Sequence, residues 1–235
     1  GQGDNGDFAS GAALHGRTVV MTSDSQNNEE NSAYHTLFWN RTSSLSARTV
    51  ILNCVNIAAH LDEIALVFDE AQYAARFVTV PASEIEIALD EMVLGYQYLT
   101  QELITRFTQR KLASASSQAA KLAFIYKPNS TLAESILSPS RVTSDALSYP
   151  LVAAAGAAFK AYAENIAATL AENSVLTPLL VHCDQSNELS RRDNALAIWL
   201  CEYFDSLDDP KRRPTSKQLV SWVKAGAKRT SFSLW

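Results

Sequence analysis

The sequence predicts an α/β fold, a Rossmann-like three-layer sandwich with a mostly parallel sheet. Three observations predict it. Short apolar, β-branched runs alternate with longer amphipathic stretches along the chain. The runs are far enough apart to leave room for helices, which parallel strands need as crossovers. Several runs, such as Leu122-Ala123-Phe124-Ile125-Tyr126, are apolar at every position, the pattern of strands buried on both faces.

Taken in order, Thr18-Val19-Val20-Met21-Thr22 reads as the first strand. The polar cluster Ser23 to Asn28 reads as a loop, and Asn28 or Asn31 as the cap of a helix through Ala33-Tyr34-Leu37-Phe38. Thr49-Val50-Ile51-Leu52 is the second strand. Asp62 to Ala75 reads as a helix, from the spacing of Ile64, Leu66, Val67, Phe68 and Ala71. Phe77-Val78-Thr79-Val80 is a third strand, closed by Pro81, and Glu86 to Phe107 a long helix. Leu122 to Tyr126 is a strand stopped by Pro128, and Asn129 to Ser148 a polar loop. Leu151 to Glu172 is an Ala-rich helix, Leu179-Leu180-Val181 a strand, and Asp193 to Phe204 a helix. Lys217 to Ala227 reads as a short last helix and Ser231 to Leu234 as an edge strand. The expected central strands therefore carry Val19, Val50, Val78, Ile125 and Val181. With neither a composition break nor an internal repeat, residues 1–235 read as a single domain.

Composition narrows the class. Hydrophobic residues are 47% and charged residues 19%, as in a folded globular protein rather than a disordered one. The net charge of −5 argues against nucleic acid, whose phosphates need a basic surface. Cys54, Cys183 and Cys201 form no CxxC pair, which argues against structural zinc and a disulfide framework and for a reducing, cytoplasmic setting. No metal site is expected. No apolar run reaches the ~18–20 residues of a membrane span.

Gly1-Gln2-Gly3-Asp4-Asn5-Gly6 fits G-x-G-x-x-G, a tight turn that lets backbone approach a pyrophosphate at a helix N-terminus. Ala12-Ala13-Leu14-His15-Gly16-Arg17-Thr18-Val19-Val20-Met21-Thr22-Ser23 resembles the first helix end and second strand of short-chain dehydrogenase/reductases. Among these it is most similar to the ketoreductase domains of type I fatty acid synthases. Tyr34 to Phe38, Val50 to Leu52 and Asn56 to Asp62 resemble the stretch that follows, and Met92 to Gly95 stands at the Asn-x-x-Gly of the long dimer helix. The resemblance implies an NAD(P) cofactor. Its candidate contacts are Gly1, Gly3, Gly6, Ser23, Asp24 and Asn56, and Tyr149 is the candidate general acid.

The departures are as specific as the matches. The family's Tyr-x-x-x-Lys would need a lysine at position 153, where Ala153 stands. No lysine lies between Glu84 and Arg106 to replace it, and Met92 stands where the family has Asn. Lys127-Pro128-Asn129-Ser130 offers Ser130, displaced, for the substrate carbonyl, and Val181-His182-Cys183-Asp184 replaces the Pro-Gly of the later strand. The expected function is a dehydrogenase-like scaffold with eroded catalytic residues, acting as a structural, binding or regulatory module, with dinucleotide binding weak or absent. The alternative is an active NAD(P)H-dependent ketoreductase using Tyr149. Ser23-Asp24 offers no Arg for a 2′-phosphate, so NADPH is not expected to be favoured over NADH.

Two further clusters read as ordinary surface. His182, Cys183 and Asp184 alternate faces on a strand and cannot converge on one ion. Lys211-Arg212-Arg213 with Lys217, Lys224, Lys228 and Arg229 reads as a solvated basic face. The two long helices, carrying Tyr96, Tyr98, Phe159 and Tyr162, are expected to pair into a homo-oligomer or contact a larger assembly.

Overall fold

The computed structural model describes residues 2–24, 33–113, 119–141, 147–172, 175–209 and 214–228. Among the described residues, six strands are arranged in two parallel half-sheets. The first pairs β1 (Val20–Ser23) with β2 (His35–Phe38). The second has the order β3-β4-β5-β6, made of Glu63–Asp69, Ala120–Lys127, Leu176–His182 and Trp222–Lys224. Every ladder is parallel.

Helices cover both faces. On one face α2 (Ser44–Ala58), α5 (Gly95–Ala113) and α7 (Pro150–Ala171) pack on Leu66, Phe68, Leu122, Phe124 and Leu180. On the other, α1 (Gln2–Leu14) and α9 (Asp193–Leu207) lie over Ala65, Val67, Ala123, Ile125, Leu179 and Val181. The alternation of a strand thus sends odd and even residues of β3, β4 and β5 into two separate cores. Where α1 crosses α9, a side chain on Gly11 would collide with the backbone of Asn194, so a hydrogen there sets how closely the two helices approach. Shorter helices are α3 (Glu70–Arg76), α4 (Ile85–Leu89), α6 (Leu132–Leu137), α8 (Glu188–Arg191) and α10 (Ser216–Leu219). A π-helical turn, Asp90–Leu94, joins α4 to α5.

The fold class agrees with the sequence reading, as do β4, β5 and the helices α5, α7 and α9; several other elements are corrected. Thr49 to Leu52 is not a strand but lies within α2. Its buried residues Ala47, Val50, Ile51 and Cys54 stand at i, i+3, i+4 and i+7, and Ser43 caps it by accepting the amide of Ser46 at 3.2 Å. Residues 62–75 are not one helix. Glu63–Asp69 is β3, and only from Glu70 does a helix run. The apolar run of β3 faces helices on both sides, so it has no polar stripe to distinguish strand from helix. Residues 77–80 belong to no strand, and His35 to Phe38 form β2 rather than part of a helix. The expected last helix is α10 followed by β6. Loop 129–148 contains α6, closed by a capping box between Thr131 and Glu134. The expected caps at Asn28 and Asn31 and the strand at Ser231 to Leu234 lie outside the described residues.

Between β1 and β3 lies a slot of about 560 Å³. At its amino end Arg17, just before β1, donates from Nε to Glu63 Oε2 of β3 at 3.0 Å and from Nη2 to Asp205 Oδ1 at 2.5 Å. No helix among the described residues is long and apolar enough to cross a membrane.

Candidate functional site at the carboxyl edge

Open parallel sheets take their ligands outside the carboxyl ends of the strands. Here that edge is built from Ser23, Asp69, Lys127 and His182, which end β1, β3, β4 and β5. Its polar side chains fall into three groups, set by which face each strand end presents.

The first lies on the α1 and α9 face. Asp69 turns β3 into α3, its Oδ1 accepting the amides of Ala71 at 3.0 Å and Gln72 at 3.4 Å. Its other oxygen meets the ammonium of Lys127, which also donates to Asp193 Oδ1 at 2.9 Å. Burial opposes the charge on Lys127, but Asp69 and Asp193 outweigh it and hold the ammonium above the usual lysine range. This lysine is neutralised in place and is no free base. Beside it a recess of about 350 Å³ is bordered by Asp7, Arg191, Arg192 and Asn194.

The second group centres on Glu70, only 3% exposed. Oε1 accepts the phenol of Tyr126 at 2.5 Å, and Oε2 accepts the amide of Asn129 and the hydroxyl of Ser148, each at 3.0 Å. Three donors onto one buried side chain match a carboxylate, which only accepts. Burial first, then the bond to Glu70, pushes the Tyr126 phenol well above its ordinary range, so it stays protonated. A side chain on Gly156 of α7 would collide with Glu70 Oε1, so only a glycine lets α7 come this close.

The third group lies at the α2 and α5 end. Arg41 donates to Tyr73 Oη at 3.0 Å, the hydroxyls of Tyr73 and Tyr96 are 3.0 Å apart, and Tyr96 donates to the carbonyl of Val67 at 2.6 Å. Burial raises the Tyr73 phenol well above its usual value. The Arg41 guanidinium lies over the ring of Trp39, 4.6 Å from its centroid.

The predicted site residues are not gathered into one constellation. Tyr149 stands at the carboxyl edge as the N-cap residue of α7, directly after Ser148. Four positions on is Ala153, whose amide bonds the Tyr149 carbonyl at 3.0 Å. The one lysine of α7, Lys160, faces the sheet instead, 5.5 Å from the Tyr126 ring centroid and 6.0 Å from that of Trp222. Gly1 lies outside the described residues. Gly3 and Gly6 lie within α1, not in a turn ahead of it, because the helix already begins at Gln2. Ser23 and Asp24 do stand at the carboxyl end of β1, but Arg76 Nη1 reaches Asp24 Oδ2 at 3.3 Å and Glu91 Oε2 at 2.9 Å. An arginine is thus present beside Asp24, which the sequence order of Ser23-Asp24 did not reveal. Asn56 is exposed near the C-terminal end of α2, which runs from the carboxyl edge toward the amino edge. As a set these residues fit a dinucleotide poorly, since the glycines are helical and the Asp24 carboxylate is already paired.

Met92 is fully buried in the π-helical turn, and Ser130 gives its carbonyl to the amide of Ser148. His182 points between the rings of Tyr126 and Trp222, whereas Cys183 is buried on the opposite face and Asp184 pairs with Lys224 at 2.9 Å. No group of three metal-ligating side chains occurs among the described residues. Lys211, Arg212, Arg213 and Arg229 lie outside them. The residues that sequence reasoning missed are Glu70, Tyr126, Lys127 and Asp69. Their signal was the charged Asp69-Glu70 pair closing an apolar run, which also marked the end of β3.

The architecture is that of a doubly wound parallel sheet. More narrowly, it has the fold of the short-chain dehydrogenases and reductases. A short-chain dehydrogenase from Mycobacterium smegmatis superposes with a TM-score of 0.60 at 14% identity, covering 98% of this chain and 89% of that one. The 3-ketoacyl-(acyl-carrier-protein) reductase from Brucella melitensis, complexed with NADH, gives 0.58 at 14%, covering 94% and 92%. The NADH-dependent reductase A1-R′, complexed with NAD, gives 0.62 at 11%, covering 92% and 88%. No family model and no curated protein matches the sequence.

Two outcomes follow from this geometry. Glu70→Gln leaves at least one buried donor facing an amide NH₂, and Gly156→Ala drives a methyl into the Glu70 carboxylate; each should cost about 1–3 kcal/mol and lower Tm by several degrees. Thermal unfolding followed by circular dichroism checks both. Burial first, then Lys160, lowers the His182 pKa from its ordinary value. A depressed histidine contributes stability that is present above the unfolded value near 6.5 and lost as pH falls toward the folded one. Tm should therefore drop on acidification from about pH 7.5 to 5, and His182→Gln should flatten part of that drop.

Proposed function

We propose that this chain is a dehydrogenase-fold module that binds or scaffolds rather than reduces. The observation that carries the reading is the occupation of the carboxyl edge by groups that satisfy one another. Glu70 takes the Tyr126, Asn129 and Ser148 donors, and Lys127 is held between Asp69 and Asp193. Tyr149 has Ala153 where a lysine would stabilise a tyrosinate and hold a nicotinamide ribose. Losing one such preorganised electrostatic partner typically costs on the order of 10²–10³ in rate. Dinucleotide binding is accordingly weak or absent. The exposed Ala154, Ala157 and Ala161 on α7 support close packing of a second copy or a larger assembly against this helix. The finer likeness to fatty acid synthase ketoreductases selects β-keto thioesters as the substrates to try.

The test is calorimetric titration with NADH and NADPH, and turnover with β-keto thioesters and simple ketones beside a Tyr149→Phe variant. Expected are no saturable heat at micromolar cofactor and no turnover above background. Robust turnover that vanishes in Tyr149→Phe would establish a working reductase and overturn the reading.

A further inference from the structure

Among the described residues β6 ends the order β3-β4-β5-β6, and it is only three residues long. So short an edge strand has little backbone pairing of its own, and side chains must help to hold it. His182, the last residue of β5, holds it twice. Its carbonyl accepts the amide of Ala225, the residue after β6, at 3.0 Å. Its ring stands between Tyr126 of β4 and Trp222 of β6, with centroids 5.6 and 6.4 Å away. The Tyr126 and Trp222 centroids are 6.3 Å apart, so the three rings close a cage on the α7 face.

Positive charge crowds this cage. From α7 the Lys160 ammonium reaches both the Tyr126 and the Trp222 rings, within 6.0 Å of each centroid. From β6, Lys224 is the register partner of His182. The carboxylates around it are already engaged. Asp184 accepts Lys224 at 2.9 Å and the Ser186 hydroxyl at 2.7 Å. Glu164, one turn along α7 from Lys160, accepts the Trp222 indole N–H at 2.6 Å, and Glu70 holds the Tyr126 phenol. Glu134 of α6 acts on that phenol too, and Lys217 of α10 is exposed. A neutral imidazole suits this setting. An imidazolium would face the Lys160 ammonium in a half-buried space, and burial, then Lys160, holds the His182 pKa below its ordinary value. To reach water the charged ring must push aside Trp222, which carries β6.

We propose that His182 and Lys160 form a proton-operated latch on β6. With His182 neutral the strand is docked; with His182 protonated, repulsion from Lys160 parts Trp222 from the cage and frees residues 222–225 from β5. The released state bares the outer backbone edge of Leu180, Val181 and His182, which β6 otherwise pairs. The sign follows from linkage. A histidine held below its ordinary value supports the docked strand above about pH 6.5 and loses that support as pH falls.

The test reads amide hydrogen exchange at Ala225 and at Phe124 of β4, from about pH 7.5 to about pH 5 and with low urea added, as protection relative to free-amide rates. Local release exposes little surface, so exchange at Ala225 should be nearly independent of urea, while Phe124, which opens with the whole chain, follows it. Over the same pH range Ala225 protection should fall about fivefold or more. His182→Gln should remove that fall. Lys160→Met, which keeps the stem and drops the charge, should shrink it. Ala225 exchange that follows urea as Phe124 does would tie β6 to global unfolding and overturn the latch. So would a fall that is absent, that survives in His182→Gln, or that Lys160→Met leaves unchanged. Should His182→Gln fail to fold, the ring protons of His182 in the unaltered chain, followed by nuclear magnetic resonance, decide. They should titrate below about pH 6.5, and a ring that titrates at or above that value overturns the proposal.

Discussion

Among the described residues the two half-sheets share no backbone hydrogen bonds, so side chains hold them in register, and much of this structure answers that constraint. The helices α2 and α5 span the slot on one face and α1 and α9 on the other. Arg17 ties the amino ends together by reaching Glu63 and Asp205, and the buried Lys121 continues the same chain of charges to Asp208 at 2.7 Å. A fork donating to two carboxylates at once suits this task better than a lysine, because its planar donors are preorganised. The carboxyl ends are tied by other means, through Arg41, Tyr73 and Tyr96, with the last bonding the Val67 carbonyl.

At the carboxyl edge the polar side chains that close the strands are engaged with one another. Such an edge offers convergent strand ends and helix starts, which are equally good at holding a ligand and at holding each other. Glu70 binds the end of β3 to β4, to the loop after it and to the residue before α7. Desolvating a carboxylate this deeply is tolerable only because three donors replace its water. Three of the four lone-pair sites of the Glu70 carboxylate are taken, and the Lys127 ammonium donates to both of its aspartates.

The class of fold was legible because alternation of strands and helices survives errors in individual elements. The long helix α7 and the strands β4 and β5 were legible for local reasons: an alanine-rich run behind Pro150, and apolar runs stopped by Pro128 or by polar residues. α2 and β3 were exchanged in character because each is an apolar run of similar length. What separates them is the i, i+3, i+4, i+7 spacing of Ala47, Val50, Ile51 and Cys54, which a β-branched core segment obscures. The site was less legible still. Glu70, Tyr126 and Ser148 are 56 and 22 positions apart in sequence and meet only through the packing of α7 on β4. Asp24 and Arg76 likewise meet across 52 positions. Pairings of that range carry no local signature.

The three cysteines have a practical consequence. All are buried thiols, and desolvation pushes Cys54 to about 11, Cys183 to about 12 and Cys201 to about 11. At pH 8 such thiols are ionised on the order of one part in a thousand or less, so an alkylating reagent acts mainly on molecules that have opened. Cys54 on α2 and Cys201 on α9 stand on opposite walls of the slot, while Cys183 sits beyond β5 at the carboxyl edge. The chain thus carries built-in gauges of its own breathing. Modification of the first two clocks the parting of the half-sheets, and modification of the third clocks the fraying of the edge beside α8.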